Sequence, residues 1–156
     1  MTVAIGKMYE NLYKLPGGEA LVRGMSRNAA RLAFYNPLAG LKKRDSLPEI
    51  KEDVLRMCKL MEVPLSVSKE SPDQIEFLVD ACPYGYNRRD QEGVCDAVMD
   101  LDRTMVKLCG GSMVIEETTA GGAPKCRVTV TKASKEQGAR GKEQSAKSEG
   151  RKTSRK

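Results

Sequence analysis

A chain of 156 residues with 40% apolar content is long enough for one domain with a real core and too short for two comfortable ones. Its formal charge of +6 suggests an anionic partner only until it is divided along the chain: residues 132–156 hold nine Lys and Arg against three acids, and the other 18 basic residues are balanced by 18 acidic ones. A neutral body does not advertise the basic face that an electrostatic nucleic-acid reader needs. The absence of histidine excludes Ser-His-Asp and Cys-His catalysis and every His-ligated metal site.

Residues 1–13 contain no apolar run of signal-peptide length, and no stretch approaches the roughly 18 apolar residues of a membrane span, so a soluble cytoplasmic protein is expected. Five cysteines, an odd number, argue for reduced thiols, metal ligation or redox chemistry over a disulfide framework.

In chain order, Val3–Tyr13 fits a short helix that stops before Leu15-Pro16-Gly17-Gly18, because Pro disfavours helix at the preceding residue and glycines end helices. A second helix is expected over Glu19–Tyr35, with Leu21, Met25, Ala29, Leu32 and Ala33 on one face and Arg23, Arg27 and Arg31 at four-residue spacing on another. The arginine row could hold an anion, but a solvated face explains it without a ligand. Asn36-Pro37 ends this helix, and Leu38–Arg44 reads as a basic loop. Ser46-Leu47-Pro48-Glu49 has the form of a capping box, with the Ser hydroxyl accepting from first-turn amides and the Glu reaching back. Ile50, Val54, Met57, Cys58 and Met61 follow at helical spacing, which makes Cys58 a small hydrophobe on the buried face.

The period then becomes alternating. Val63, Leu65 and Val67, a Ser71-Pro72-Asp73 turn, and Ile75, Phe77 and Val79 form an antiparallel hairpin with one face on a core. Its second strand runs straight into Cys82-Pro83, which puts a thiol at the end of a firm support. Tyr84–Gly93 is an irregular loop placed to close over whatever that turn faces. One amphipathic helix follows to about Cys109, marked by Val94, Val98, Leu101, Met105 and Leu108 and stopped by Gly110-Gly111. Cys95 lies in its first turn, where the helix dipole favours thiolate and Asp96, Asp100 and Asp102 oppose it; the sequence leaves that balance open. Met113 and Ile115 with Glu116-Glu117, the Gly121-Gly122-Ala123-Pro124 turn, and Cys126, Val128 and Val130 alternating with Lys125, Arg127 and Thr129 make a second hairpin with Cys126 on its apolar face. Lys132–Lys156 has no large apolar residue, so it is expected to be a disordered, solubilising basic tail capable of weak contacts with nucleic acid or an acidic partner.

The class expected is therefore α+β: N-terminal helices packed on an antiparallel sheet of about four strands, with a central amphipathic helix between two hairpins. A single domain covers residues 1–131, and 132–156 is the tail.

The series Cys82-Pro83-Tyr84, Cys95, an amphipathic helix closed by Gly110-Gly111, Val114-Ile115-Glu116-Glu117-Thr118, Gly121-Gly122 and Cys126-Arg127-Val128 resembles the C-terminal half of the 4-vinyl reductase-like domain family. It is also similar to L-2-amino-thiazoline-4-carboxylic acid hydrolases. The match spans roughly residues 63–131 and departs from the pattern at Ala123-Pro124, where an acidic residue is usual, and at Val128, where an aromatic is. The first resemblance implies helices on an antiparallel sheet, related in shape to transport-complex and haem-sensor subunits, binding small hydrophobic molecules. The second implies hydrolysis of a small sulfur heterocycle.

Three readings stay open at this level. The preferred one is a non-catalytic small-molecule-binding or sensor domain, its pocket between the central helix and the sheet with Cys82, Cys95 and Cys126 at the polar end; its partners would be a small ligand and a second copy of the chain. In another, the same three thiols, with Cys109, hold zinc or an iron–sulfur cluster, although no Cys-x-x-Cys pair is present. The last is a thiol-dependent hydrolase with Cys82 or Cys95 as nucleophile, assisted by Asp80, Asp96 or Glu117. Against all three stands the simpler possibility that the cysteines are small buried residues.

Overall fold

The computed structural model describes residues 2–133; the expectation of a disordered tail falls almost wholly outside them. Five α-helices, two single-turn 3₁₀ segments and four strands follow in the order α1 (Thr2–Tyr13), α2 (Gly18–Tyr35), α3 (Leu47–Leu60), β1 (Leu65–Glu70), β2 (Gln74–Val79), α4 (Glu92–Val98), α5 (Asp100–Leu108), β3 (Gly111–Glu117) and β4 (Cys126–Lys132), with the 3₁₀ turns at Pro37–Ala39 and Arg89–Gln91. The strands form one antiparallel sheet in the order β1-β2-β4-β3. The two expected hairpins are thus joined edge to edge through β2 and β4, with Phe77 opposite Val128 and Val79 opposite Cys126.

Alternation puts Ile75 and Phe77 of β2 and Val128 and Val130 of β4 on the inner face, each at most 5% exposed. The outer strand β1 follows the pattern less well. Val67 pairs with Phe77 and shares its inner face, yet at the sheet edge it stays 38% exposed, and a bulge between Val67 and Lys69 then breaks the register.

Helix α3 packs on this sheet through Leu47 and Ile50 against Ile75, Phe77, Val106 and Val130. Its N-terminus differs from the expected capping box: Ser46 is the N-cap, but its hydroxyl donates to Glu49 Oε2 (2.7 Å) and accepts no first-turn amide. Asp53, 3% exposed, accepts from Arg44 Nε (2.6 Å) and Nη2 (2.8 Å) and from Arg56 Nη2 (2.8 Å), which anchors the basic loop to α3.

The buried face of α2 is not the one its large apolar residues mark. Gly18, Val22, Ser26 and Ala30 are buried, whereas Leu21 is 47% and Leu32 76% exposed. A stripe of small side chains brings α2 close to α4 and α5, and the arginines that flank it reach across. Arg23 bonds Asp96 (2.7 Å) and Asp100 (3.3 Å), Arg27 bonds Asp100 (2.7 Å), and Arg103 returns to both aspartates. Arg23 and Arg27 are thus paired with aspartates, Arg27 with its side chain still 49% exposed, while Arg31 lies on the exposed face against Asn28.

The single central helix expected from Val94 to Cys109 is interrupted. Met99, with ψ −8°, separates α4 from α5, while Met99 N→Cys95 O and Arg103 N→Met99 O (both 3.0 Å) carry helical hydrogen bonding across the break. At the end of α5, Gly110 takes φ +97°, and a Cβ there would lie 2.8 Å from the Arg44 carbonyl, so this turn requires glycine. Gly111, expected to help stop the helix, instead opens β3.

Candidate ligand cavity

The three clusters of buried residues, α1/α2/α4 with the Tyr86 loop, α3 on the sheet, and α2/α5, do not meet at a single point. Between them lies a cavity of about 140 Å³. Val54, Met57, Cys58 and Met61 line it from α3, Phe77 and Val79 from β2, Met113 and Ile115 from β3, and Cys126, Val128 and Val130 from β4. Cys82-Pro83-Tyr84, Cys95, Met99, the α5 residues Leu101, Asp102, Met105 and Val106, and Cys109 at its C-terminal end add to the wall, with Asp53 of α3, Leu41, Val63, Leu65 and Thr118 around them.

All five cysteines and five of the eight methionines belong to this lining. Sequence reasoning singled out Cys82, Cys95 and Cys126, which do face the same space, and set Cys58 apart; the fold brings Cys58 into the wall with them. In the sequence the methionines count only as apolar positions of helices and strands. Their unbranched, polarisable thioethers adapt to irregular spaces and contact aromatic edges favourably, so five of them around one small cavity make a soft wall.

Each cysteine is held differently. Cys82 opens a turn closed by Gly85 N→Cys82 O (3.0 Å), with Gly85 at φ +77°. Cys126 Sγ accepts from the Thr119 amide (3.3 Å), and Thr119 Oγ1 donates to the Tyr86 carbonyl (2.8 Å), which ties β4 to the loop. Cys95 settles the balance left open above: burial, reinforced by the nearby Cys82, Cys126 and Asp96, pushes its thiol up to about 12 against the smaller opposing pull of Arg103. Burial likewise raises Cys58 to about 12 and Cys109 to about 11. These thiols stay protonated at neutral pH and are poor nucleophiles. The acids expected to assist a hydrolase are engaged elsewhere, Asp80 with Lys125 (2.6 Å), Asp96 with Arg23 and Arg103, and Glu117 with Arg127 (3.4 Å). Among the described residues no group of three metal-holding side chains is formed.

The loop expected to close over the Cys82 turn does so with aromatics. Tyr84, in the wall, stacks on Tyr86 at 5.8 Å and meets Tyr9 of α1 edge-on at 6.4 Å. Tyr86 is 1% exposed and donates its hydroxyl to the Gly6 carbonyl (2.8 Å). Desolvation raises the pKa of both phenols, with Asp102 adding to the effect at Tyr84 and Cys82 at Tyr86. Gly6 makes this packing possible, since a Cβ there would overlap the Tyr84 carbonyl. Gly6→Ala should therefore lower stability by about 1–3 kcal/mol in urea unfolding, with the loss of α1 docking visible as increased tyrosine exposure.

Two carboxylates line the cavity, and only Asp53 is paired with arginine. Asp102 is partly buried and stands in the wall of the cavity. Desolvation raises its pKa from 3.8 to about 6, opposed only by its own backbone N–H and the more distant charge of Arg103. Cys95, Val98, Asp102, Met105 and Cys109 repeat at spacings of three and four, so the periodicity did contain the signal that Asp102 lies on the buried stripe.

No family model and no curated protein sequence matches the chain. Among solved structures, the phenol-responsive sensory domain of the transcription activator PoxR, determined with phenol, matches at 17% identity and a TM-score of 0.56, over 85% of this chain and 74% of that one. The fold is similar to that of a phenol-sensing domain. A trafficking protein particle complex subunit 3 from Naegleria fowleri, covalently bound to palmitic acid, matches at 10% identity and a TM-score of 0.49, over 85% of this chain and 82% of that one. No helix among the described residues is long and apolar enough to cross a membrane.

Proposed function

We propose that the chain is a small-molecule-binding sensor domain whose ligand is a compact, largely apolar molecule of about one aromatic ring, held in the cavity between α3, α5 and the sheet. The observation that carries this reading is the cavity itself. Its volume of about 140 Å³ is close to that of an engineered apolar cavity of roughly 150 Å³ that stays dry and takes up benzene. The sulfur-rich wall favours an aromatic occupant, because each thioether at a ring edge contributes about 0.3–1.5 kcal/mol. The likeness to a phenol-responsive domain supports the same choice.

In this reading Cys82, Cys95 and Cys126 touch the ligand as soft, neutral wall groups and hold no zinc or iron–sulfur cluster. Thermal-shift and calorimetric titration with benzene, toluene and phenol test it. The expected result is saturable stabilisation, about 2.7 kcal/mol when ligand is a hundredfold above its Kd, from protein that elemental analysis shows to be metal-free. Filling the space with Val54→Phe should abolish the effect. Silence across all one-ring compounds would refute the proposal.

A further inference from the structure

The charged groups on the helix that forms one side of the cavity divide cleanly. Asp96 and Asp100 face α2 and are each bridged by two or three arginines. Burial opposes ionisation of Asp96, but the hydrogen bonds from Arg23 and Arg103 outweigh it and keep its carboxyl below the usual range. Asp102 stands on the other side of the helix, in the wall of an otherwise apolar space. Among the described residues its hydrogen-bond partner is its own backbone N–H. Such a group is costly for the empty protein, and nothing in the packing of α5 requires it, since a leucine would suit the Val98–Met105 stripe better.

We propose that Asp102 is the specificity-determining contact of the cavity, accepting a hydrogen bond from the hydroxyl or amine N–H of a one-ring aromatic ligand. This rests on the sensor reading given above and narrows it: the ligand is a ring with a protic donor, not a plain hydrocarbon or an ether. The apolar and sulfur-bearing wall takes the ring, and the carboxylate takes the donor. The groups that face Asp102 leave it free for this role. Cys58 on α3 and Tyr84 on the loop are both kept neutral by burial, so neither supplies a competing cation, and Arg103, the next residue along, is engaged with Asp96 and Asp100. A charge-assisted hydrogen bond in such a site discriminates against a ligand that lacks the donor, because the partly buried carboxylate then faces the ring without a partner.

The test compares phenol, aniline, anisole and toluene by calorimetry on the full chain and on Asp102→Leu and Asp102→Asn, at pH 8. For the unsubstituted protein, phenol and aniline should bind at least about tenfold more tightly than anisole and toluene. In Asp102→Leu that preference should vanish and toluene should bind as well as or better than phenol. Asp102→Leu removes a buried charge and is expected to fold; Asp102→Asn, close to the same shape, provides the second reading of the contact. At pH 5, where Asp102 is protonated and can itself donate, anisole should gain on phenol. If toluene and phenol bind equally to the unsubstituted protein and Asp102→Leu changes neither, the cavity function stands and the role of Asp102 is overturned. If none of the four binds to any variant, the sensor reading fails and this inference falls with it.

Discussion

Phe77→Ala is expected to lower the unfolding free energy by about 3–5 kcal/mol, measured by urea or thermal denaturation. Phe77 is 1% exposed, packs with Ile50, Ile75, Val106 and Val130, and sits in the middle of β2 opposite Val128. The cost should lie toward the upper end of that range because the deleted ring borders the existing cavity. A small void in a tight core shrinks by relaxation of its walls, whereas this one merges with space the fold already holds open. The same substitution has a functional readout: the enlarged cavity should accept two-ring aromatics such as naphthalene, which the unsubstituted protein should exclude.

Asp102→Asn should stabilise the protein, with a gain that depends on pH in a predictable direction. A carboxyl whose folded pKa is raised from 3.8 to about 6 binds its proton more tightly in the native state than in the unfolded chain. Below pH 4 the group is protonated in both states and its burial as a neutral acid carries no ionic penalty. As pH rises from about 4 to about 6 the unfolded chain loses its proton first, and stability falls; above pH 6 the loss is complete and constant. The shift corresponds to at most about 3 kcal/mol. Asparagine cannot ionise, so Asp102→Asn should be more stable than the parent by up to that amount at pH 8, with the advantage fading toward pH 4. The titratable neighbours Cys58 and Tyr84 remain neutral throughout this window, and the other shifted carboxylates are common to both proteins, so the difference between parent and variant follows Asp102. A flat difference between pH 4 and pH 8 would show that Asp102 is solvated.

Much of the fold was legible because its elements obey one period at a time. Ile75-x-Phe77 and Val128-x-Val130 alternate without interruption, and the structure buries all four. The stripe Ile50, Val54, Met57, Cys58 likewise turns its face to the sheet and cavity. The failures have physical causes. In α2 the helix approaches its neighbours through Gly18, Ser26 and Ala30, so the leucines that dominate a hydrophobicity reading are the residues left outside. Val67 shares the inner face with its partner Phe77 yet stays exposed, because β1 is an outer strand with nothing beyond it to cover that edge. The break at Met99 leaves no composition signal, since no Gly or Pro marks it. At the site, the cysteines drew attention by their rarity, while Asp102 passed as one of three acids near Cys95. Telling it apart required knowing that Arg23 and Arg27, more than seventy positions away, join the nearby Arg103 in claiming the other two, a fact of tertiary pairing.

Ten sulfur-bearing residues around one small cavity also give it a chemical vulnerability. Conversion of a methionine to its sulfoxide places a polar S=O group where a pliable apolar side chain had been, and oxidation of a thiol to sulfenic or sulfinic acid adds bulk and charge. Met61, 38% exposed, is the wall residue open to peroxide, whereas the protonated thiols of Cys58, Cys95 and Cys109 react slowly. The helix clamp built from Arg23, Arg27, Asp96, Asp100 and Arg103 contains no sulfur and would remain intact. Oxidative damage to this domain would erase its receptivity before its architecture.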